Sequence, residues 1–399
     1  MGDGMDLNTV CYILFILLFI GYLALEGFDY GVGMLLPFLG KTDTQRQAII
    51  RTLAPVWEGN EVWLIAAGAF LFASFPNAYA TLFSGMYLAL LLIIASLIFR
   101  GAAFEFRDKD DSTLWRNFWD WSIFFGGLIP ALLWGVALSN LIKGLPIDAQ
   151  SQFVGTFGDL ISLYTLLGGT AFTLLFLVHG IVYLTLKIDA LFVPKLIRMG
   201  TKLCKAAIGV LVLFGILTFL NTDIGAKLLA SLLLFAPILA TYLVIINLHY
   251  RRFGRCFICS TISVVSLSLS LFGGLFPRII VSSLDARLSL TIYNSASNPL
   301  TLQILSVTML IVLPLIIAFE VWKYNIFRQR IVLADIQLAA YATKLTQMLR
   351  QLKVRLKYAC YLADAMRSMT DALRSDDGNV ISRLKPKSLV LLFKRLPRK

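Results

Sequence analysis

Nine long apolar stretches punctuate the chain, at approximately 7–28, 61–77, 79–99, 119–142, 158–186, 203–221, 228–249, 257–277 and 302–326. A helix needs about 20 apolar residues to cross a bilayer core. Barrel strands alternate in polarity, and these runs do not, which excludes a transmembrane β-barrel. The pattern predicts an all-α, polytopic membrane protein with nine transmembrane helices. The first stretch has no basic n-region and no A-x-A site, and it runs straight into Glu26 and Asp29. It is therefore expected to be a membrane helix rather than a cleaved signal peptide. The second is short and opens on Asn60 and Glu61.

Beyond the ninth stretch the pattern changes. Leu338, Ala342, Leu345, Leu349, Leu352, Leu356, Ala359, Ala363, Met366 and Leu373 recur at three- and four-residue steps. They predict one amphipathic helix, with most Lys and Arg off the apolar stripe. Asp376-Asp377-Gly378 reads as its stop, and Leu389 to Phe393 as a second piece that lies on a bilayer. The chain thus divides into a transmembrane domain, 1–327, and a tail, 328–399.

Composition sharpens this division. Of 399 residues, 58% are apolar and only 15% charged, against about a quarter charged in a soluble domain. The net charge of +13 is concentrated in the tail, where 16 basic residues face 5 acidic ones from Arg328 onward. Topology and the membrane surface account for this excess, so no nucleic-acid partner is expected. The loops after the first, third, fifth and seventh stretches hold 14 Lys and Arg, from Lys41 to Arg255. The alternate loops hold Lys143, Lys227, Arg278 and Arg287. The positive-inside rule then places the N-terminus outside and the C-terminal tail in the cytoplasm.

Ionisable side chains at membrane depth are costly and mark candidate chemistry. The first stretch ends Glu26-Gly27-Phe28-Asp29-Tyr30-Gly31-Val32-Gly33, two carboxylates among three glycines. Pro55-Val56-Trp57-Glu58-Gly59-Asn60-Glu61-Val62-Trp63 follows, with Glu58 and Glu61 on one helical face. Arg100 and Glu105 close the third stretch. The topology gathers Glu26, Asp29, Glu58, Glu61, Glu105 and Arg100 on the cytoplasmic side. Carboxylates in line with water relay protons, and the alternative is a set of solvated interfacial pairs. Glu58 is the expected point of proton uptake. Trp57 and Trp63 suit the interface, or packing against an aromatic macrocycle.

Histidine is scarce: His179 and His249 are the only two. They cannot ligate several haems, so no haem bound by this chain is expected. Five cysteines, with one CxxC at Cys256 and Cys259, form neither a disulfide framework nor a zinc spacing, and no metal site is expected. On these residues alone, the intramembrane carboxylates and glycines leave open an ion-coupled secondary transporter or a purely structural subunit.

The motifs above resemble subunit II of the cytochrome bd-type quinol oxidases. Phe83-Ser84-Gly85-Met86-Tyr87, Phe99-Arg100-Gly101, Trp115-Arg116-Asn117-Phe118-Trp119-Asp120, Phe272-Gly273-Gly274-Leu275-Phe276-Pro277 and Ser289-Leu290-Thr291-Ile292-Tyr293-Asn294-Ser295-Ala296-Ser297 extend the match over about 5–330. The resemblance implies two four-helix bundles plus a ninth helix, in a bacterial plasma membrane. It implies quinol oxidation and dioxygen reduction to water in aerobic respiration. A partner subunit I carries haems b and d, a small extra subunit sometimes joins, and a structural quinone is a possible guest. The chain's own share is part of a proton path, with Asp29, Glu58, Arg100 and Glu105 at matching positions. Glu58 and Glu105 stand where the family commonly has Asp, and the tail is longer than usual.

Overall fold

The computed structural model describes residues 6–374, and these are almost entirely helical. The first helix, α1 (Leu7–Leu39), is capped by Asp6, whose carboxylate accepts from the Thr9 N–H at 2.7 Å. A short α2 (Asp43–Leu53) starts in a capping box of Thr42 and Gln45. There follow α3 (Trp57–Ser74), α4 (Pro76–Gly85), α5 (Tyr87–Phe106), α6 (Thr113–Lys143) and α7 (Leu163–Lys187). Then come α8 (Val193–Asn221), α9 (Leu228–His249), α10 (Phe253–Leu275) and α11 (Pro299–Ile326). A two-stranded antiparallel ribbon, β1 (Arg278–Ile280) with β2 (Leu290–Thr291), fills the loop between α10 and α11.

Eight helices among the described residues are long and apolar enough to cross a membrane, and the chain is a multi-pass membrane protein. The expected stretches at 61–77 and 79–99 are redrawn. The helix breaks at Phe75, because Pro76 lacks an N–H and disfavours helical geometry in the residue before it. The long span is α5, and the 79–99 stretch straddled α4 and α5. The 18-residue α3 opens on Trp57-Glu58-Gly59-Asn60-Glu61 and falls short of the other eight in apolar length.

The core is built on α1, which is buried along most of its length. It packs against α3, α6, α7, α10 and α11, while α6 also packs on α5. Helices α7, α8, α9 and α10 form a closed ring of neighbours. Glycine allows the α1–α7 contact. A Cβ on Gly31 would overlap the Phe176 carbonyl, and one on Gly180 would stand 2.5 Å from the Gly31 carbonyl carbon. Apolar side chains such as Ile65, Leu91, Ile98, Leu229, Leu239 and Leu315 face outward, as a lipid solvent permits.

Leu333 ends the first of two compact units, and the second runs from Ala334 onward. The helix expected from the 338–373 stripe, α12 (Leu333–Arg374), starts on the last residue of the first unit and makes up the described part of the second. Leu345, Leu349, Leu352, Leu356 and Met366 of that stripe are exposed. The expected stop at Asp376-Asp377-Gly378 and the 389–393 piece lie outside the described residues.

Candidate functional site

Glu26 and Asp29 lie three residues apart on α1 and are wholly buried. The spacing puts both on one helical face. Arg100 reaches them from α5. Gly126 of α6 makes room, since a Cβ there would lie 2.5 Å from the Arg100 Cβ. The Arg100 guanidinium donates through Nη2 to Glu26 Oε1, and to Glu61 Oε1 on α3 at 2.6 Å. It also sits over the Tyr30 ring, 5.0 Å from the centroid. Asp29 is held separately: Asn60 Nδ2 donates to its Oδ2 at 2.8 Å.

Two carboxyl groups, Glu26 and Glu61, thus share one guanidinium, with Asp29 buried beside them and Glu61 half-buried at the edge of the site. A net negative charge is poorly tolerated there, so the cluster is suited to holding and exchanging protons. Some of its hydrogen-bonding capacity is unused. Glu26 Oε2, Asp29 Oδ1, and Arg100 Nε and Nη1 are buried without a hydrogen-bond partner among the described residues. Such atoms in a polar interior are normally bridged by ordered water. A hydroxyl chain adjoins them, with Trp134 Nε1 donating at 3.0 Å to Tyr22 Oη, which is hydrogen-bonded to Tyr30 Oη.

The other expected residues are dispersed. Glu58 and Glu105 are exposed, and neither forms an ion pair with a described residue. Glu58 lies one turn of α3 before Glu61. Trp57 is half-buried against Phe104, with ring centroids 5.1 Å apart. Trp63 is buried over Gly21, where a Cβ would fall 2.5 Å from its ring, so it packs inside this chain.

Three residues escaped the sequence reading. Glu320, Lys323 and Tyr324 of α11 lie beside the first turn of α3. A signal was present, since Glu320 and Lys323 are charges three apart inside an apolar stretch. A second network joins α2 to the ends of α5 and α6. Arg107 donates to Asp120 at 2.6 Å and Asp43 at 2.7 Å, and Arg46 to Asp120 at 2.8 Å.

His179 does not suit a haem iron. Its Nδ1 is bonded to Ser260 Oγ at 2.7 Å, its Nε2 to the Ala24 carbonyl at 3.1 Å, and its ring stacks on Phe257. His249 is exposed at the end of α9. Among the described residues no group of three or more His, Cys, Asp or Glu converges on a metal position. An apolar cavity of about 80 Å³ lies among α1, α3, α4, α5, α6 and α10. Its one lining hydroxyl, Tyr12, already donates to the Phe272 carbonyl at 2.9 Å.

The comparisons with known proteins agree over this membrane part. The family model for cytochrome bd terminal oxidase subunit II matches residues 7–327. Cytochrome bd ubiquinol oxidase subunit 2 of Bacillus subtilis strain 168 is 35% identical over 332 residues, covering 82% of this chain and 97% of that protein. Cytochrome bd-I ubiquinol oxidase subunit 2 of Escherichia coli K12 is 32% identical over 372 residues, covering 84% and 98%. A solved chain from the bd oxidase of Geobacillus thermodenitrificans shares the fold, with a TM-score of 0.66 at 20% identity over 81% of this chain and 99% of that one. Since the family model takes in every membrane helix from α1 to α11, the chain belongs to the cytochrome bd terminal oxidase subunit II family.

Proposed function

We propose that this chain is the haem-free, proton-conducting subunit II of a bd-type quinol oxidase, in a bacterial plasma membrane. The complex oxidises quinol and reduces dioxygen to water. Haems in that complex supply the oxygen chemistry, and subunit I carries them. Both ring nitrogens of His179 are engaged, which supports a chain that contributes no ligand. Residues 1–327 are the oxidase domain, crossing nine times with α3 as the extra crossing, N-terminus outside. Residues 328–399 are a basic cytoplasmic tail.

Reducing dioxygen to water consumes protons as well as electrons, so the complex needs a proton path, which this reading draws from the cytoplasmic side. The observation that carries the reading is the buried Glu26–Arg100–Glu61 group beside Asp29, with one oxygen of Glu26 and one of Asp29 left unpartnered. In this reading Glu58, exposed at the start of α3, collects protons and Glu61 passes them inward. Glu26 and Asp29 hold them in turn, and Arg100 keeps the carboxyl set from repelling itself apart. Glu105 lies off this line, as a second exposed acid near the inlet.

The test is oxygen consumption and proton uptake by the purified complex. Glu26→Gln and Asp29→Asn keep size and hydrogen bonding but remove the exchangeable acid. Each should slow turnover on the order of 100-fold at unchanged haem content. Wild-type rates in both would leave the cluster a structural ion pair.

A further inference from the structure

Most of α11 faces outward, and its buried residues form one stripe: Leu302, Ser306, Leu313, Glu320 and Lys323. The stripe is apolar or hydroxylic from Leu302 to Leu313 and becomes charged at Glu320 and Lys323. Glu320 and Lys323 pair at 2.6 Å, and Lys323 Nζ donates to the Val56 carbonyl at 3.4 Å. Val56 is the N-cap of α3 and supplies no side-chain cap. A Cβ on Gly59 would collide with Lys323 Nζ and stand 3.1 Å from Glu320 Oε1, so glycine lets this pair seat against the first turn of α3.

On the next residue, Tyr324 Oη donates to Asn60 Oδ1 at 2.9 Å. Asn60 in turn donates through Nδ2 to Asp29 Oδ2 at 2.8 Å and to the Leu25 carbonyl at 3.4 Å. Every polar atom of the Asn60 side chain is therefore in use. The Tyr324 ring packs edge-on against Phe28, with centroids 6.2 Å apart, next to Asp29 in sequence. Tyr324 and Asn60 are separated by 264 residues, so only the docking of α11 brings them together.

An amide is a poor proton carrier. To pass a proton from Tyr324 to Asp29, Asn60 would have to go through its imidic acid form. The Tyr324–Asn60–Asp29 string holds its members in place and does not conduct. It occupies Asp29 Oδ2 and leaves Oδ1, which has no hydrogen-bond partner among the described residues, as the atom open to exchange.

We infer that Tyr324 is a positioning residue for Asp29, acting through Asn60, and that α11 selects which carboxyl oxygen of Asp29 exchanges protons. The Glu320–Lys323 pair anchors this brace to α3. The inference rests on the proton-relay reading of the buried cluster, and the experiment separates the two.

The test uses the assembled oxidase, with rates normalised to haem content. Asp29→Asn comes first: a slowed rate upholds the relay, while a wild-type rate overturns the relay and the positioning role with it. Given a slowed Asp29→Asn, Tyr324→Phe should lower turnover about tenfold, because a misplaced group loses rate steeply with small displacements. It should also raise the solvent deuterium isotope effect. In an Asn60→Ala background the same Tyr324→Phe change should add nothing, since a residue acting through Asn60 has no effect once Asn60 is gone. Infrared difference spectra give a readout independent of rate. The carboxyl band lost in Asp29→Asn should shift in Tyr324→Phe. An unmoved band, or equal slowing by Tyr324→Phe with and without Asn60, would overturn the positioning role and leave the relay standing.

Discussion

A guanidinium sealed among helices, as Arg100 is, keeps its charge at any physiological pH and must be matched by carboxylates. Arg100→Gln leaves Glu26 buried without its cation, and breaking a buried pair in this way destabilises by about 3–5 kcal/mol. Thermal denaturation of the purified complex should show that loss, and Arg100→Gln/Glu26→Gln should recover part of it. Glu58 poses a different question, because its side chain is exposed and apart from the cluster. Glu58→Gln is expected to slow proton uptake less than Glu26→Gln does, since a neighbouring acid can collect protons in its place. Glu58→Gln/Glu61→Gln should lose more than Glu58→Gln alone, measured as the rate of proton uptake per haem. A small loss in the double change would move the inlet elsewhere. The members of the buried cluster were visible along the chain, as the acids Glu26, Asp29 and Glu61 and the base Arg100 in or beside apolar stretches. That Glu58 and Glu105 stay apart from them was not, because exposure depends on neighbours from other helices.

Backbone proximity decides matters for the helices as elements. Gly31 of α1 meets the Phe176 carbonyl of α7 so closely that any Cβ forces the two helices apart. Gly31→Ala should lower stability by about 1–3 kcal/mol, as overpacking does, and should reduce assembled haem-bearing complex. Gly68→Ala is the control, since nothing lies within 4 Å of its added Cβ. That change should be neutral, or stabilise α3 slightly through better helix propensity. A second element-level prediction concerns the turn between α8 and α9. Partial burial raises the Asp223 pKa, but hydrogen bonds from Arg278 Nη2 to both its oxygens, each 2.7 Å, outweigh this and hold it below its usual value. Its stabilising share is therefore present above the unfolded pKa of about 3.9 and is lost as pH falls through the folded value. In Asp223→Asn, thermal stability should decline less between about pH 5 and pH 3 than in the wild type. An identical acid limb would mean that the Arg278 link contributes nothing. Helix existence was readable from apolar periodicity. The break at Phe75 was signalled by Pro76, yet the 61–77 stretch ran through it, and the 79–99 stretch ran through the junction at Met86, because α4 is apolar enough to blend into α5.

At the level of the whole molecule, the boundary between the membrane part and the tail sets a precise cut. Arg330 donates to the Thr185 carbonyl at 2.9 Å, the Ile331 N–H to the Lys187 carbonyl at 2.8 Å, and the Leu333 N–H to Asp189 Oδ2 at 3.1 Å. Residues 330–333 thus cap the end of α7, and a truncation must spare them. Removing everything after Leu333 should leave oxygen consumption per haem largely unchanged. Removing everything after Gln329 should lower the yield of assembled complex. Equal behaviour of the two truncations would deny the capping role, and loss of turnover in a normally assembled Leu333 truncation would make the tail part of the machinery.

The sequence by itself determined the class of molecule, the positions of most spans, the charge bias of the loops and the pool of candidate acids. These are local or additive properties: a run of apolar residues is a membrane helix wherever its neighbours lie, and loop charges sum without reference to packing. The tertiary structure alone decided which acids share Arg100, which face outward, and that α11 reaches Asp29 through Tyr324 and Asn60. Those contacts join residues 31 to 264 positions apart. They exist because glycines at Gly31, Gly59, Gly126 and Gly180 let particular backbones and side chains approach. No local pattern encodes such a pairing. It follows from how whole helix faces fit together.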